Sequence, residues 1–129
     1  MAESGPQFTY PGVEAAADLS GKQWHFVRFS AARAVNQASE AVNSGLAGVL
    51  QDKPNASGKP ASVAYSGVSK VVAGAAITAN DIISTNGSGR AITVVSGAIA
   101  GGRALTAAGA DGDIITAFLF PPFRWAGAV

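Results

Sequence analysis

Few side chains in this 129-residue chain are equipped for chemistry: one histidine, no cysteine, eight acids and nine bases. His25 stands in Lys22-Gln23-Trp24-His25-Phe26-Val27-Arg28-Phe29, an aromatic run with no carboxylate nearby in sequence. A general base needs a proton to take and an orienting partner within hydrogen-bond reach. Without one, His25 reads as a hydrogen-bonded strand residue. Asp111 and Asp113, in Ala110-Asp111-Gly112-Asp113, come closest to a charged constellation. Calcium asks for about six to eight oxygens and usually a closing glutamate, and no acid follows Asp113. The pair is read as an Asp-Gly turn whose carboxylate accepts from neighbouring backbone amides.

Glu14 with Asp18, or Asp52 with Asp81, would form a glycosidase-like pair only if the fold joined them, and no spacing speaks for it. Gly21-Lys22 and Gly58-Lys59 lack the upstream glycine and the following hydroxyl of a phosphate-cradling loop. No Gly-x-Ser-x-Gly elbow occurs. The expectation is no catalytic residue, no metal, no cofactor and no small-molecule substrate: the chain is not read as an enzyme.

Composition points the same way. Hydrophobic residues make up 48% of the chain, enough for one core, while charged residues make up 13%, against about 25% for an average soluble domain. A surface so poor in charge favours burial in an assembly. The net charge of +1 and the scattered bases give no footprint for nucleic acid. No run reaches the ~18–20 apolar residues of a membrane span, so no membrane partner is expected. Met1 to Gly12 has neither a basic start nor an apolar stretch, so no secretion signal is read there. Asn55-Ala56-Ser57 and Asn86-Gly87-Ser88 are accordingly read as turns rather than glycosylation acceptors.

The elements that must position these residues read as all-β. Residues 1–21, with Pro6, Pro11 and three glycines around Phe8 and Tyr10, predict an extended N-terminal arm rather than a helix or central strand. Residues 22–120 form the β domain. Its first strand is read across 22–35, with Trp24, Phe26 and Arg28 on one parity and His25, Val27 and Phe29 on the other, so that both faces are covered. Ala34–Ser44 is left open between loop and a turn of helix. Further short strands are expected at 47–52, 61–66, 68–73, 81–85, 90–95 and 113–120, with a hairpin at Asn86-Gly87-Ser88-Gly89. Spacings near ten residues argue a barrel or sandwich. Pro121-Pro122 is expected to end the last strand, leaving 121–129 as an aromatic C-terminal tail.

One phrase occurs twice: AITANDIIS at 76–84 and ALTAAGADGDIIT at 104–116. Each has an aliphatic residue (Ile77, Leu105), a small-residue turn, and an aspartate before two isoleucines (Ile82-Ile83, Ile114-Ile115). The echo is either chance in an Ala-, Thr- and Ile-rich chain or a repeated corner. If it is a corner, Thr and Asp oxygens satisfy its backbone and the aliphatics enter one core.

The stretch from 45 to 120 resembles the small capsid decoration, or cement, proteins of tailed bacteriophages. The similar features are Gly-Val-Leu-Gln-x-Lys-Pro (48–54), Ser-Gly-Val-Ser-Lys-Val (66–71), Ala-Gly-x-x-Ile-x-x-x-Asp (73–81) and Ala-Asp-Gly-Asp-Ile (110–114). Asn80 replaces the usual glycine of the third phrase, and asparagine tolerates the left-handed conformation better than most residues.

The resemblance implies a small β-tulip or β-clip-like barrel, similar to the head-decoration protein of phage lambda. It implies a protein made in the host cytoplasm that binds the major capsid protein on the outer surface of the virion. There it acts as a homotrimer and braces the shell against internal DNA pressure. Phe8, Tyr10 and Pro11 of the arm are the expected capsid contacts. Trp24, Phe26, Phe123 and Trp125 are the expected subunit interface. For both the arm and the tail the alternative is that they cover their own domain. The alternative function is a carbohydrate-binding or host-attachment module, with Trp24, Tyr10, Tyr65 and Trp125 as its platform.

Overall fold

The computed structural model describes residues 2–39 and 45–125. Among these lie ten strands and no helix: β1 (Gln7–Thr9), β2 (Glu14–Ala15), β3 (Phe26–Ala31), β4 (Ala34–Gln37), β5 (Leu46–Leu50), β6 (Val63–Val72), β7 (Ile82–Thr85), β8 (Ala91–Thr93), β9 (Ile99–Ala104) and β10 (Ile114–Arg124). They form one open sheet in the order β2-β4-β3-β5-β6-β10-β9-β7-β8, with β1 attached to β6 beside that path. The all-β expectation is met, in a sheet that does not close on itself.

Successive side chains of a strand point to opposite faces, and here each face has a core. Phe26 and Val49 pack with Ala64, Val71, Ile77, Ile83, Ile115 and Leu119 on one side. Their chain neighbours Val27 and Leu50 pack with Val13, Leu19, Val35 and Val63 on the other. The central strand β5, Leu46-Ala47-Gly48-Val49-Leu50, is therefore buried at every position.

One strand, β9, lies where none was expected, and three expected boundaries differ. Residues 22–35 are not one strand: Lys22–His25 form a turn with Trp24 at φ 68°, and β3 starts at Phe26. The chain then reverses at Ala32-Arg33 into β4, with Arg33 at φ 57° and a bulge between Phe29 and Ala31. Neither residue signals a turn; Arg33 is held there because Glu14 N–H donates to its carbonyl and its Nη1 reaches Pro11 O. Of the stretch Ala34–Ser44, the first four residues are β4, and 40–44 lie outside the described residues.

Residues 61–66 and 68–73 are not separate strands either, because Gly67 stays in the ladder of β6, opposite both Gln7 and Leu119. Glycine stands there because the arm passes so closely that a Cβ would lie 2.3 Å from Pro6 O. Finally, Pro121-Pro122 does not end β10. The strand pairs with β6 and β9 up to Leu119, shifts register, and pairs with β9 again at Phe123 and Arg124. The prolines occupy the unpaired stretch between, where an absent N–H breaks no ladder bond. The expected tail is thus strand through Arg124, and 126–129 lie outside the described residues.

The doubled phrase is a real corner, although its two halves align differently from the sequence echo. After β6, Ala73 donates to Asp113 O and accepts from Gly112 N. After β9, Ala104 donates to Asp81 O and accepts from Asn80 N. Ile114 and Ile115 pair with Val72 and Val71; Ile82 and Ile83 pair with Arg103 and Gly102. Each corner thus closes on the strand that feeds the other, and the two meet where Ile77 and Ala108 exchange both backbone hydrogen bonds. Asn80 and Gly112 take the same left-handed role, at φ 78° and 96°.

The residue equivalent to Ile77 is therefore Ala108, not Leu105. Ile77 is 3% exposed, whereas Leu105 is 44% exposed and outside the core. Ile77→Ala should lower unfolding free energy by about 2–5 kcal/mol, and Leu105→Ala should change it by no more than about 0.5 kcal/mol. Urea denaturation of both variants checks the assignment; equal losses would restore the alignment written in the sequence.

Candidate docking surfaces

The ionisable groups singled out for chemistry are engaged in holding turns. Asp113 Oδ2 accepts from Gly109 N and Ala110 N, at 2.9 and 3.2 Å, as an Asp-Gly turn should. Asp111 Oδ1 pairs with Arg90 Nη1 at 2.7 Å. Asp18 accepts from the Ser20 amide and hydroxyl, which hold its carboxyl below the usual range. Asp52 accepts from Ser62 N, and Asp81 from Thr93 Oγ1 and Thr78 N. His25 is buried in the turn before β3, with Nδ1 3.1 Å from Gln23 O. The charged neighbours that act on it are Lys22 and Arg90, both cations. Among the described residues no three histidines or acids converge as a metal site would require.

What the fold does present is two rows of neighbouring aromatic rings, each with one exposed member, Phe8 or Phe123, and the rest half-buried. The arm row runs Phe8, Tyr65, Tyr10, Phe29, with ring centroids 6.5, 4.6 and 5.2 Å apart. The arm lies along β6: Gly5 N donates to Val68 O, Val68 N to Pro6 O, and Tyr10 N to Val63 O. Tyr10 is half-buried, and its hydroxyl donates to Ala47 O at 3.0 Å. Burial, and secondarily Tyr65, raises its phenol pKa. Phe8 at the outer end is 68% exposed, and Pro11 beyond Tyr10 is exposed.

The tail row is Phe120, Phe123 and Trp125, at 5.4 and 6.3 Å. It is anchored by Trp125 N donating to Ala98 O and by Gly97 N donating to Trp125 O. Phe118 and Phe123 on the same strand are 45% and 48% exposed.

The remaining expected interface residues stand elsewhere. Trp24 is half-buried beneath Lys70, whose Nζ lies 5.5 Å from the ring centroid. Phe26 is fully buried in its own chain's core and offers nothing to a neighbour. The four rings of the sugar platform are divided: Tyr10 and Tyr65 in the arm row, Trp125 in the tail row, Trp24 against Lys70. Sequence reading missed Phe29 in the arm row and Phe120 in the tail row. Parity already set Phe29 beside Val27, but nothing in the sequence says that Tyr10 of the arm packs on that face; Phe120 was hidden by the expectation that the prolines end the strand.

Residues 21–119 match the family described as phage cement protein. No curated protein matches the chain in sequence. Among solved structures, the head fiber gp8.5 N base of bacteriophage phi29 superposes with a TM-score of 0.65 at 17% identity, covering 88% of this chain and 92% of that one. At that identity the likeness is one of fold.

Core and surface aromatics should separate cleanly on unfolding. Phe26→Ala should cost about 3–5 kcal/mol, while Phe8→Ala and Phe123→Ala should each stay within about 1 kcal/mol. Thermal and urea melts of the three variants measure this, and a large loss at Phe8 or Phe123 would make that ring part of the core.

Proposed function

This chain belongs to the phage cement protein family, and we propose on that premise that it binds the outer surface of a tailed-phage head as a homotrimer and braces the shell against internal DNA pressure. The observation that carries this reading is the pair of aromatic rows, exposed at Phe8 in one and at Phe123 in the other, on a domain with 13% charged residues. Lone apolar side chains on a surface are ordinary, whereas grouped aromatics are the usual anchors of an interface.

The two rows suit two kinds of contact. Among the described residues β1 pairs with β6 alone, so its other edge is open to an extended segment of the capsid protein. Strand addition of that kind takes its affinity from main-chain hydrogen bonds and its specificity from side chains. Phe8, Tyr10 and Pro11 lie along that edge. At the other row, Pro121-Pro122 withholds two amide donors from the outer half of β10, which discourages strand pairing. Phe118, Phe123 and Trp125 therefore engage by side-chain burial, between copies of the chain. Many such copies, each clamping neighbouring capsid subunits, convert modest contacts into a strongly braced shell.

Heads stripped of the protein should rupture at lower temperature and on milder salt dilution than heads refilled with it. Phe8→Ala should reduce retention on heads by about tenfold or more, the effect of an anchor worth upwards of 1.4 kcal/mol, without altering the oligomeric state of the free protein. Phe123→Ala should instead shift the free protein from trimer to monomer in sedimentation. Equal rupture thresholds with and without the protein would contradict the bracing role.

A further inference from the structure

We propose that the crossing from Lys22 to Phe26 is an acid-sensitive latch that joins the two cores of the sheet. This short segment makes backbone contacts to three separate parts of the molecule. Trp24 N donates to Leu50 O, and Leu50 N donates to His25 O, which ties the crossing to β5. Val72 N donates to Trp24 O, which ties it to the end of β6. Phe26 N donates to Gly89 O, in the hairpin between β7 and β8. Immediately beyond, Phe26 enters one core and Val27 the other. Trp24 holds a left-handed backbone, unusual for a residue with a bulky side chain. The crossing is thus held by its surroundings rather than by its own preference.

The one histidine of the chain sits at the centre of this crossing and is 6% exposed. Among the described residues, the groups around it offer a proton no counter-charge. Lys22 from its own turn and Arg90 from the hairpin act on it as cations. Lys70 of β6 lies over the adjacent Trp24 ring. The nearest acid on Arg90, Asp111, is already paired with that guanidinium. Gln23 O, at 3.1 Å from Nδ1, is a hydrogen-bond partner of the ring. Burial first, and the two cations after it, hold His25 below its ordinary value of about 6.5.

An opened crossing releases the ring to water, where it binds a proton more readily than in the closed form. Closure is therefore at full strength above about pH 6.5 and weakens as pH falls through the depressed folded value. With one proton taken up per opening, the open population should rise by up to about tenfold per pH unit within that window.

Amide hydrogen exchange followed residue by residue from pH 7.5 to 5 tests the latch, with protection corrected for intrinsic rates. Protection at Trp24, Phe26, Leu50 and Val72 should fall by up to tenfold per unit, while Val71 and Ile115 in the β6–β10 ladder hold. His25→Asn should flatten the dependence. Should that variant not fold, Arg90→Gln provides a second reading: removing a cation and freeing Asp111 should raise the folded value toward that of the open form, so that protection falls less in total and levels off at a higher pH. Unchanged protection at the four amides in the folded wild type would overturn the latch. So would an equal fall throughout the sheet, or an Arg90→Gln profile identical to wild type.

Discussion

The constraint on which the rest depends is that one sheet buries both of its faces in a chain of 129 residues. A small domain has little core to spare, and a flat sheet of this size would leave one face in water. Here the sheet is bent over itself by two interlocked corners, each completed by the strand that feeds the other. Neither corner can form alone: Ala73 lacks its partners without Gly112 and Asp113, and Ala104 lacks its own without Asn80 and Asp81. The mutual dependence makes the second half of the molecule a single cooperative unit of long-range contacts.

That arrangement explains which parts of the fold could be read from sequence. The β class, the Asn86–Gly89 hairpin and the covering of both faces followed from aromatic and β-branched density, turn chemistry and parity. The repeated corner is visible as a phrase, yet out of register, because the letters align Ile77 with Leu105 where backbone pairing joins Ile77 to Ala108. The errors share a cause. Gly67 and Pro121-Pro122 are local strand breakers by propensity, but here each answers to a tertiary neighbour: the arm pressed against Gly67, and the register shift that leaves the prolines unpaired. The turn at Ala32-Arg33 is the converse case of the same cause: no local turn former stands there, and its conformation is imposed by partners at Glu14 and Pro11.

The surface was less legible than the core. Composition could say that the chain is short of charge, not where its aromatics gather. Phe26 and Phe123 look alike in sequence, and only packing assigns one to the core and the other to solvent. The same packing turns the suspected catalytic groups into scaffolding: Asp113, Asp81 and Asp18 close turns, and His25 is buried against Gln23 O in the turn before β3. A domain with exposed aromatics at two places, Phe8 and Phe118 with Phe123, suits a cement protein, since its work is contact.

The central claim is that the two aromatic rows are the contact surfaces of a protein seated on a phage head. An image reconstruction of decorated heads, at a resolution that shows side chains, tests it most directly. The account predicts the domain on the outside of the shell, β1 against capsid protein, and Phe118, Phe123 and Trp125 covered by a second copy. A reconstruction with the domain seated through other surfaces and both rows facing solvent would contradict it.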